Sequence, residues 1–332
     1  MIDYVALQSE IKIPNKMLKN MLWQTAETDD GNTFFWYTFR GVKIRYYPHT
    51  TKLTIKGKLI TLLYDTQVLN VDDIYGKDLD HFIDDINDHL NRLFTTPILD
   101  IRDFVVTRID YCFNVKTEHV CTYIAFLNKA FSLLGSDLRK NYTLEKQLDG
   151  SVYIKTASDY KNNSHKNYVL NFYEKTCRLL YQTDRGENIS NEDFVHAEDV
   201  FRLEVQCGYE MIQYICKKYG IEKIFSDLFD YRIALYAIDT VYRRIFHADE
   251  TQDYFTYKAA KKNVSSSKAK DALYILATNH AISGKEYAYS REQIKVHDIY
   301  PYCLLPKSRT LSTLENPLKL IRSKLTDLSV LS

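Results

Sequence analysis

Three segments of the chain alternate between apolar and polar positions. In TRIDYCFNV, Ile109, Tyr111, Phe113 and Val115 fall on one side, and Arg108, Asp110, Cys112 and Asn114 on the other. In VFRLEVQC, Phe201, Leu203, Val205 and Cys207 oppose Arg202, Glu204 and Gln206. In NYVLNFYEK, Tyr168, Leu170 and Phe172 oppose Val169, Asn171, Tyr173 and Lys175. A period of two predicts strands with one face in a core, here over 105–115, 167–175 and 198–208. Residues 33–47, 52–64 and 150–157 are also expected as strands, the first two from their β-branched and aromatic content.

Helical spacing replaces alternation at 77–94, where Leu79, Phe82, Ile83, Ile86, Leu90, Leu93 and Phe94 share one face. A second helix is expected over about 117–134, and helices follow from 209 onward. Strands thus dominate to about residue 208 and helices after it. This predicts an α+β domain over 1–210 and a mainly helical C-terminal region over 211–332. No internal repeat or low-complexity linker is visible, and the least structured stretch is KKNVSSSKAK at 261–270.

The chain has 332 residues, 45% of them apolar, enough for a sizeable core. A formal net charge of +1 excludes a strong overall polyelectrolyte binder. The six cysteines form no CxxC pair and no zinc-spaced Cys/His cluster, so reduced thiols in a cytoplasmic setting are expected. The N-terminal residues carry acids where a signal peptide needs an apolar core, and no run approaches the ~20 apolar residues of a membrane span. Tyrosine is abundant, at 27 residues. An AT-rich coding sequence or a role in stacking on bases would each account for it.

Charge is uneven along the chain. Between Lys258 and Arg309 ten Lys/Arg face four Asp/Glu, a local net charge of +6 with interleaved tyrosines. Lys258, Lys261, Lys262, Lys268 and Lys270 are therefore candidate DNA-phosphate contacts. An exposed basic helix without a ligand would read the same way.

The polar sides of the three alternating strands hold the candidate chemistry. An antiparallel sheet commonly solvates one face, and polar residues there need no function. Two carboxylates and a tyrosine ringed by three cations nevertheless suit phosphoryl transfer. Asp110 and Glu204 offer oxygen ligands to a hard divalent cation, Mg²⁺ or Mn²⁺. Tyr173 is a nucleophile if a metal or cation favours its ionised form. Arg108, Arg202 and Lys175 can clamp phosphate oxygens.

The ordered series R108-I109-D110, F172-Y173-E174-K175 and R202-L203-E204 resembles the rolling-circle replication initiators of small plasmids and filamentous phages, over about 1–210. Each motif is short, and their order carries the resemblance. It implies an antiparallel-sheet, Rep nuclease-like domain with helices on one face. It also implies a site-specific endonuclease and strand transferase with Tyr173 as nucleophile and metal at Asp110 and Glu204. Asn114 stands where the plasmid type often has a second Asp, and no His-hydrophobe-His triplet is present; His165 is a further potential ligand. Tyr168, on the core side, and Tyr153 are the nearest decoys for Tyr173. Implied partners are duplex origin DNA and single-stranded DNA, with room for a homodimer and a host helicase, and no membrane. The region 211–332 would serve origin binding or dimerisation. A non-enzymatic DNA-binding initiator or repressor, and a tyrosine transposase or relaxase, remain alternatives.

Overall fold

Among the described residues, ten strands make one sheet in which every neighbouring pair is antiparallel. The computed structural model describes residues 1–14, 18, 23–76, 78–94, 99–118, 120–132, 142–156, 168–246, 267, 285, 289, 321 and 322. The strands are β1 (Ile2–Glu10), β2 (Gln24–Glu27), β3 (Thr33–Phe39), β4 (Val42–Tyr47), β5 (Lys52–Gly57), β6 (Val105–Lys116), β7 (Tyr142–Lys146), β8 (Val152–Thr156), β9 (Tyr168–Glu174) and β10 (Val200–Cys207). Their order is β2-β3-β4-β5-β1-β6-β10-β9-β8-β7. The sheet therefore has two halves of identical strand order, each running first, fifth, fourth, third, second, joined by the β1–β6 pair. This repetition lies in topology, which explains why residue patterns did not reveal it.

Local chemistry sets the strand ends. Residues 33–47 form a hairpin, because Arg40 and Gly41 both take positive φ, 44° and 80°. Two such residues make the tight turn whose twist matches the flanking strands. The stretch 52–64 is strand only to Gly57; Leu59–Leu62 turns into a 3₁₀ helix. Its apolar run LITLL fits either state by pattern alone.

One face of the sheet carries the main core. Ile109, Tyr111, Phe113, Leu170, Phe172, Phe201, Leu203 and Val205 are all fully buried there. Among the described residues, the helices contributing to it include α2 (Leu79–Phe94), α3 (Val120–Ser132), α6 (Tyr209–Tyr219), α7 (Phe225–Leu228) and α8 (Tyr231–Phe246). The face expected for 79–94 is the buried one, through Phe82, Ile83, Ile86, Leu90 and Phe94. Tyr111 donates its hydroxyl to the Leu228 carbonyl at 2.7 Å, and Tyr123 stacks on Phe201 at 5.3 Å. Each fully buried apolar side chain stabilises the fold by roughly 1.5–3 kcal/mol. The helices from Tyr209 to Phe246 thus share one core with the sheet.

Helices are not confined to that face, contrary to expectation. On the opposite side lie α4 (Lys175–Asp184), α5 (Asn191–Ala197) and the strap 66–70 leading into α1 (Val71–Tyr75). Val68, Leu179 and Ala197 make a small second core there. Buried Asp193 fastens the strap, accepting from the Thr66 hydroxyl at 2.8 Å and the Gln67 amide at 3.1 Å. Among the described residues, no helix is long and apolar enough to cross a membrane.

Candidate active site

The expected alternation holds in all three central strands, and register brings their polar residues together. In β6 and β10, Asp110 lies opposite Gln206 and Glu204 opposite Cys112. In β10 and β9, Glu204 lies opposite Asn171 and Arg202 opposite Tyr173. Asp110 and Glu204 are thus diagonal neighbours on adjacent strands, with Cβ atoms about 7 Å apart. Asp110, Glu204, Asn171, Tyr173, Lys175 and Arg108 line one open pocket of about 270 Å³.

This face is enclosed rather than solvated. Asp110 is 2% exposed, and Asn171, Tyr173, Glu204 and Lys175 are no more than 5% exposed. Charges at such depth are tolerated only when paired or ligating. Arg108 pairs with Asp110 through both guanidinium branches, at 2.8 and 2.6 Å. Burial still pushes Asp110 up to about 8, with Arg108 opposing and Glu204 adding to the rise. Burial, reinforced by Asp3, also raises Glu204.

Arg202 is the first correction. Expected as a phosphate clamp, it is completely buried and both its Nη groups bond inside the protein, while its Nε has no partner among the described residues. It pairs with Asp3, and bonds the Asn70 side chain at 3.1 Å and the Val68 carbonyl at 3.4 Å. The strap and β1 have closed over it. Tyr173 is the second correction: on a polar face its hydroxyl is expected to be partly exposed, but the residue as a whole is 4% exposed, with α4 and the strap on that side of the sheet. Burial holds its phenol well above the ordinary value, with Arg202 opposing.

Lys175 does not extend β9. It is the first residue of α4, whose N-cap is Glu174. Its Nζ sits 5.7 Å from the Tyr173 ring centroid. Burial, then repulsion by Arg202 and Lys58, lowers it well below the usual lysine value. A helix N-terminus adds to that repulsion and favours anions nearby. Arg178, one turn on, also lines the pocket.

Asn114 turns away from the pocket toward Arg202, the Val68 carbonyl and Asp73. His165 and Lys258, Lys261, Lys262, Lys268 and Lys270 lie outside the described residues. Tyr168 faces the core side as expected, its hydroxyl 2.9 Å from that of Tyr142. Tyr153, expected to be a bystander, lines the same pocket and is only half buried.

Sequence reasoning missed Asp3, Tyr4, Lys58 and Arg178, all of which line the pocket. Asp3 sits at an irregularity in the β1–β6 register and faces Lys58 at 3.9 Å. Burial alone would raise Asp3, but Arg202, Lys58 and Lys175 together hold it well below the usual carboxylate range. No protein-family model and no curated protein matches the chain.

Could these residues hold a divalent cation? Among the described residues, no group of three or more His, Cys, Asp and Glu gathers as a metal site. The oxygen set fits one nonetheless. Asn171 Oδ1 is buried beside Glu204 with no hydrogen-bond partner. Two buried carboxylates, of which Asp110 is ion-paired with Arg108 and Glu204 bonds the Gln206 amide, and an orphaned amide oxygen suit a Mg²⁺-like ion that keeps part of its water shell.

Proposed function

We propose that the protein is a rolling-circle type DNA-nicking enzyme: a tyrosine endonuclease and strand transferase that initiates replication. The observation that carries this reading is the enclosure of Asp110, Glu204, Asn171 and Tyr173 in one pocket with Arg108, Lys175 and Arg178. A merely solvated sheet face gives no reason to bury two carboxylates and a tyrosine together. The implied Rep nuclease-like fold is part of the same proposal.

Asp110, Glu204 and the Asn171 amide oxygen would hold Mg²⁺ or Mn²⁺. Such an ion, when bound, offsets charge developing on a scissile phosphate. Arg108 and Arg178 border the space a phosphate would fill, and the positive end of α4 favours it. The Tyr173 oxygen attacks phosphorus in line. A P–O bond to tyrosine forms and the P–O3′ bond breaks. The phenol proton leaves to a base, for which Lys175, lowered by burial, is suited; the departing 3′-oxygen takes up a proton from solvent. The product is a 5′-phosphotyrosyl link and a 3′-OH primer. Because one ester replaces another, a later 3′-OH can reverse the step and reseal a circle.

The test is adduct formation. The full chain is incubated with Mn²⁺ and labelled single-stranded origin oligonucleotide, and the adduct peptide is sequenced. Nucleotide on Tyr173, lost in Tyr173→Phe and kept in Tyr168→Phe, is the expected result. Because Tyr153 is less buried in the same pocket, nucleotide on Tyr153 would move the nucleophile and keep the reaction class. No adduct on any tyrosine would sink the reading and leave a non-catalytic DNA binder.

A further inference from the structure

The polar face bearing the pocket does not stop at β6. Cross-strand register carries it outward through the other half of the sheet. Arg108 lies opposite Ala6, Ala6 opposite Lys56, Lys56 opposite Lys43 and Lys43 opposite Thr38. One step along the strands, Arg45 lies between Trp36 and Thr54. Residues facing each other across a ladder point to the same side of the sheet. So Lys56, Lys43, Arg45, Trp36 and Phe34 share a face with Arg108 and Asp110.

The chemistry of this extension is unusual for a solvated face. Lys43, Arg45 and Lys56 are exposed, and among the described residues no carboxylate pairs with them. Between them stand two large aromatics, Phe34 and Trp36, neither of them buried. Phe34 stacks on Tyr47 at 5.3 Å, and the Arg45 guanidinium lies 5.7 Å from the Phe34 ring. Phe34, Trp36, Thr38, Lys43 and Arg45 edge a shallow pocket of about 260 Å³. The opposite parity, Val42, Ile44 and Tyr46, is fully in the core, so the aromatics on this side are not there to fill it.

We infer that strands β3, β4, β5 and β1 form a track for single-stranded DNA that leads into the Asp110/Glu204 pocket. The inference rests on the nicking activity proposed above and names the surface that presents its substrate. Flat rings offer a sequence-tolerant stacking platform, and flanking cations follow the phosphates. From β3 to β6 is four strand spacings, about 19 Å, the reach of a short single strand. Duplex DNA cannot offer its bases to Trp36 and Phe34, so the aromatics select the single strand.

Trp36 supplies its own reporter. It is one of two tryptophans, and the other, Trp23, packs on Phe94 at 5.5 Å. Oligo(dT) of about 16 nucleotides, the upper site size of such platforms, should quench the fluorescence of the full chain, and Trp36→Phe should remove that response. Trp36→Ala and, separately, Lys43→Ser/Arg45→Ser should each weaken oligo(dT) binding about tenfold, with circular dichroism and melting unchanged. The double variant should lower the salt slope by about 1.4. Unquenched Trp36, wild-type affinity in the Lys43/Arg45 variant, or tighter binding of duplex than of single strand would each overturn the track. Adduct formation on Tyr173 in that same protein would show that the nicking reading survives such a failure.

Discussion

Arg108 grips both carboxylate oxygens of Asp110 from two residues away on β6, Nε to Oδ1 at 2.8 Å and Nη2 to Oδ2 at 2.6 Å. The period of the strand places the two side by side, and the fork of the guanidinium matches the carboxylate. Glu204 has no such fork: it accepts from the Gln206 amide at 3.1 Å, and Arg202 and Lys175 oppose its rise from farther away. Each oxygen of Asp110 still has a lone pair to offer. Asp110→Asn and Glu204→Gln keep the shape and remove the charge. Each should slow Mn²⁺-dependent adduct formation by about 10²–10³, the scale of several kcal/mol of lost charge stabilisation. Oligo(dT) affinity should stay within a few-fold. A rate within tenfold of wild type would show that no required metal sits on these carboxylates.

The same burial makes a pH signature. Asp110 rises from the 3.8 of an unfolded chain to about 8. Between about pH 4 and pH 8 the folded protein therefore holds a proton that the unfolded chain has released. Stability from this group is full below the unfolded value and is lost as pH rises through the folded one. Glu204, also raised, adds the same sign. Lys58, lowered to about 8, has the opposite sign between there and 10.5, and Lys175 is lowered too. Urea unfolding in EDTA from pH 5 to 8 should show a slope that Asp110→Asn flattens. Mn²⁺ replaces the proton, so its stabilising shift should be larger at pH 8 than at pH 6. Parallel profiles for wild type and variant would remove Asp110 as the source.

Arg202 is a stability residue in this fold, joined to an acid 199 positions away. Arg202→Ala should cost about 3 kcal/mol, the low end for breaking a buried pair, because Asp3 loses its main cation but keeps Lys58 and some contact with water. Asp3→Asn/Arg202→Met removes both charges and should recover much of that loss. Urea denaturation checks both. A loss under 1 kcal/mol in Arg202→Ala would mean that Lys58 and water at the exposed side of Asp3 are enough to hold its charge. If the double variant folds and still forms adduct, Arg202 has no part in the chemistry.

Whatever depended on strand period was legible in the residues. Ile109/Asp110, Leu203/Glu204 and Phe172/Tyr173 sort onto opposite faces as alternation requires, and helix 79–94 buries its apolar stripe. Whatever depended on distant parts of the chain was not. Alternation says which residues share a face and nothing about what covers it. The strap 66–70 has no periodicity, yet it turns the polar face from a surface into a pocket. Asp3 precedes any regular pattern and acts through a register irregularity in β1. Lys175 continues the strand parity on paper, but the backbone turns helical there and changes its neighbours. Tyr153 could not be placed without knowing that it lies opposite Asn171.

That cross-strand row, Tyr153, Asn171 and Glu204, gives the most discriminating substitution. Asn171 Oδ1 is buried and unpartnered, an arrangement that costs about 1–3 kcal/mol unless something binds there. Asn171→Asp changes one atom and adds a third carboxylate beside Glu204 and Asp110. Without metal, like charges at this depth repel, so the variant should melt lower in EDTA. With a cation bound between them the added charge becomes a better ligand, so the Mn²⁺-induced rise in melting temperature should exceed that of wild type. Asn171→Leu should do the reverse, holding stability in EDTA while weakening the response to Mn²⁺. The crossing of the two variants is the signature of a cation between these strands. If Asn171→Asp is destabilised equally with and without Mn²⁺, no ion reaches Asn171, and the metal must be held by Asp110 and Glu204 from the pocket side alone.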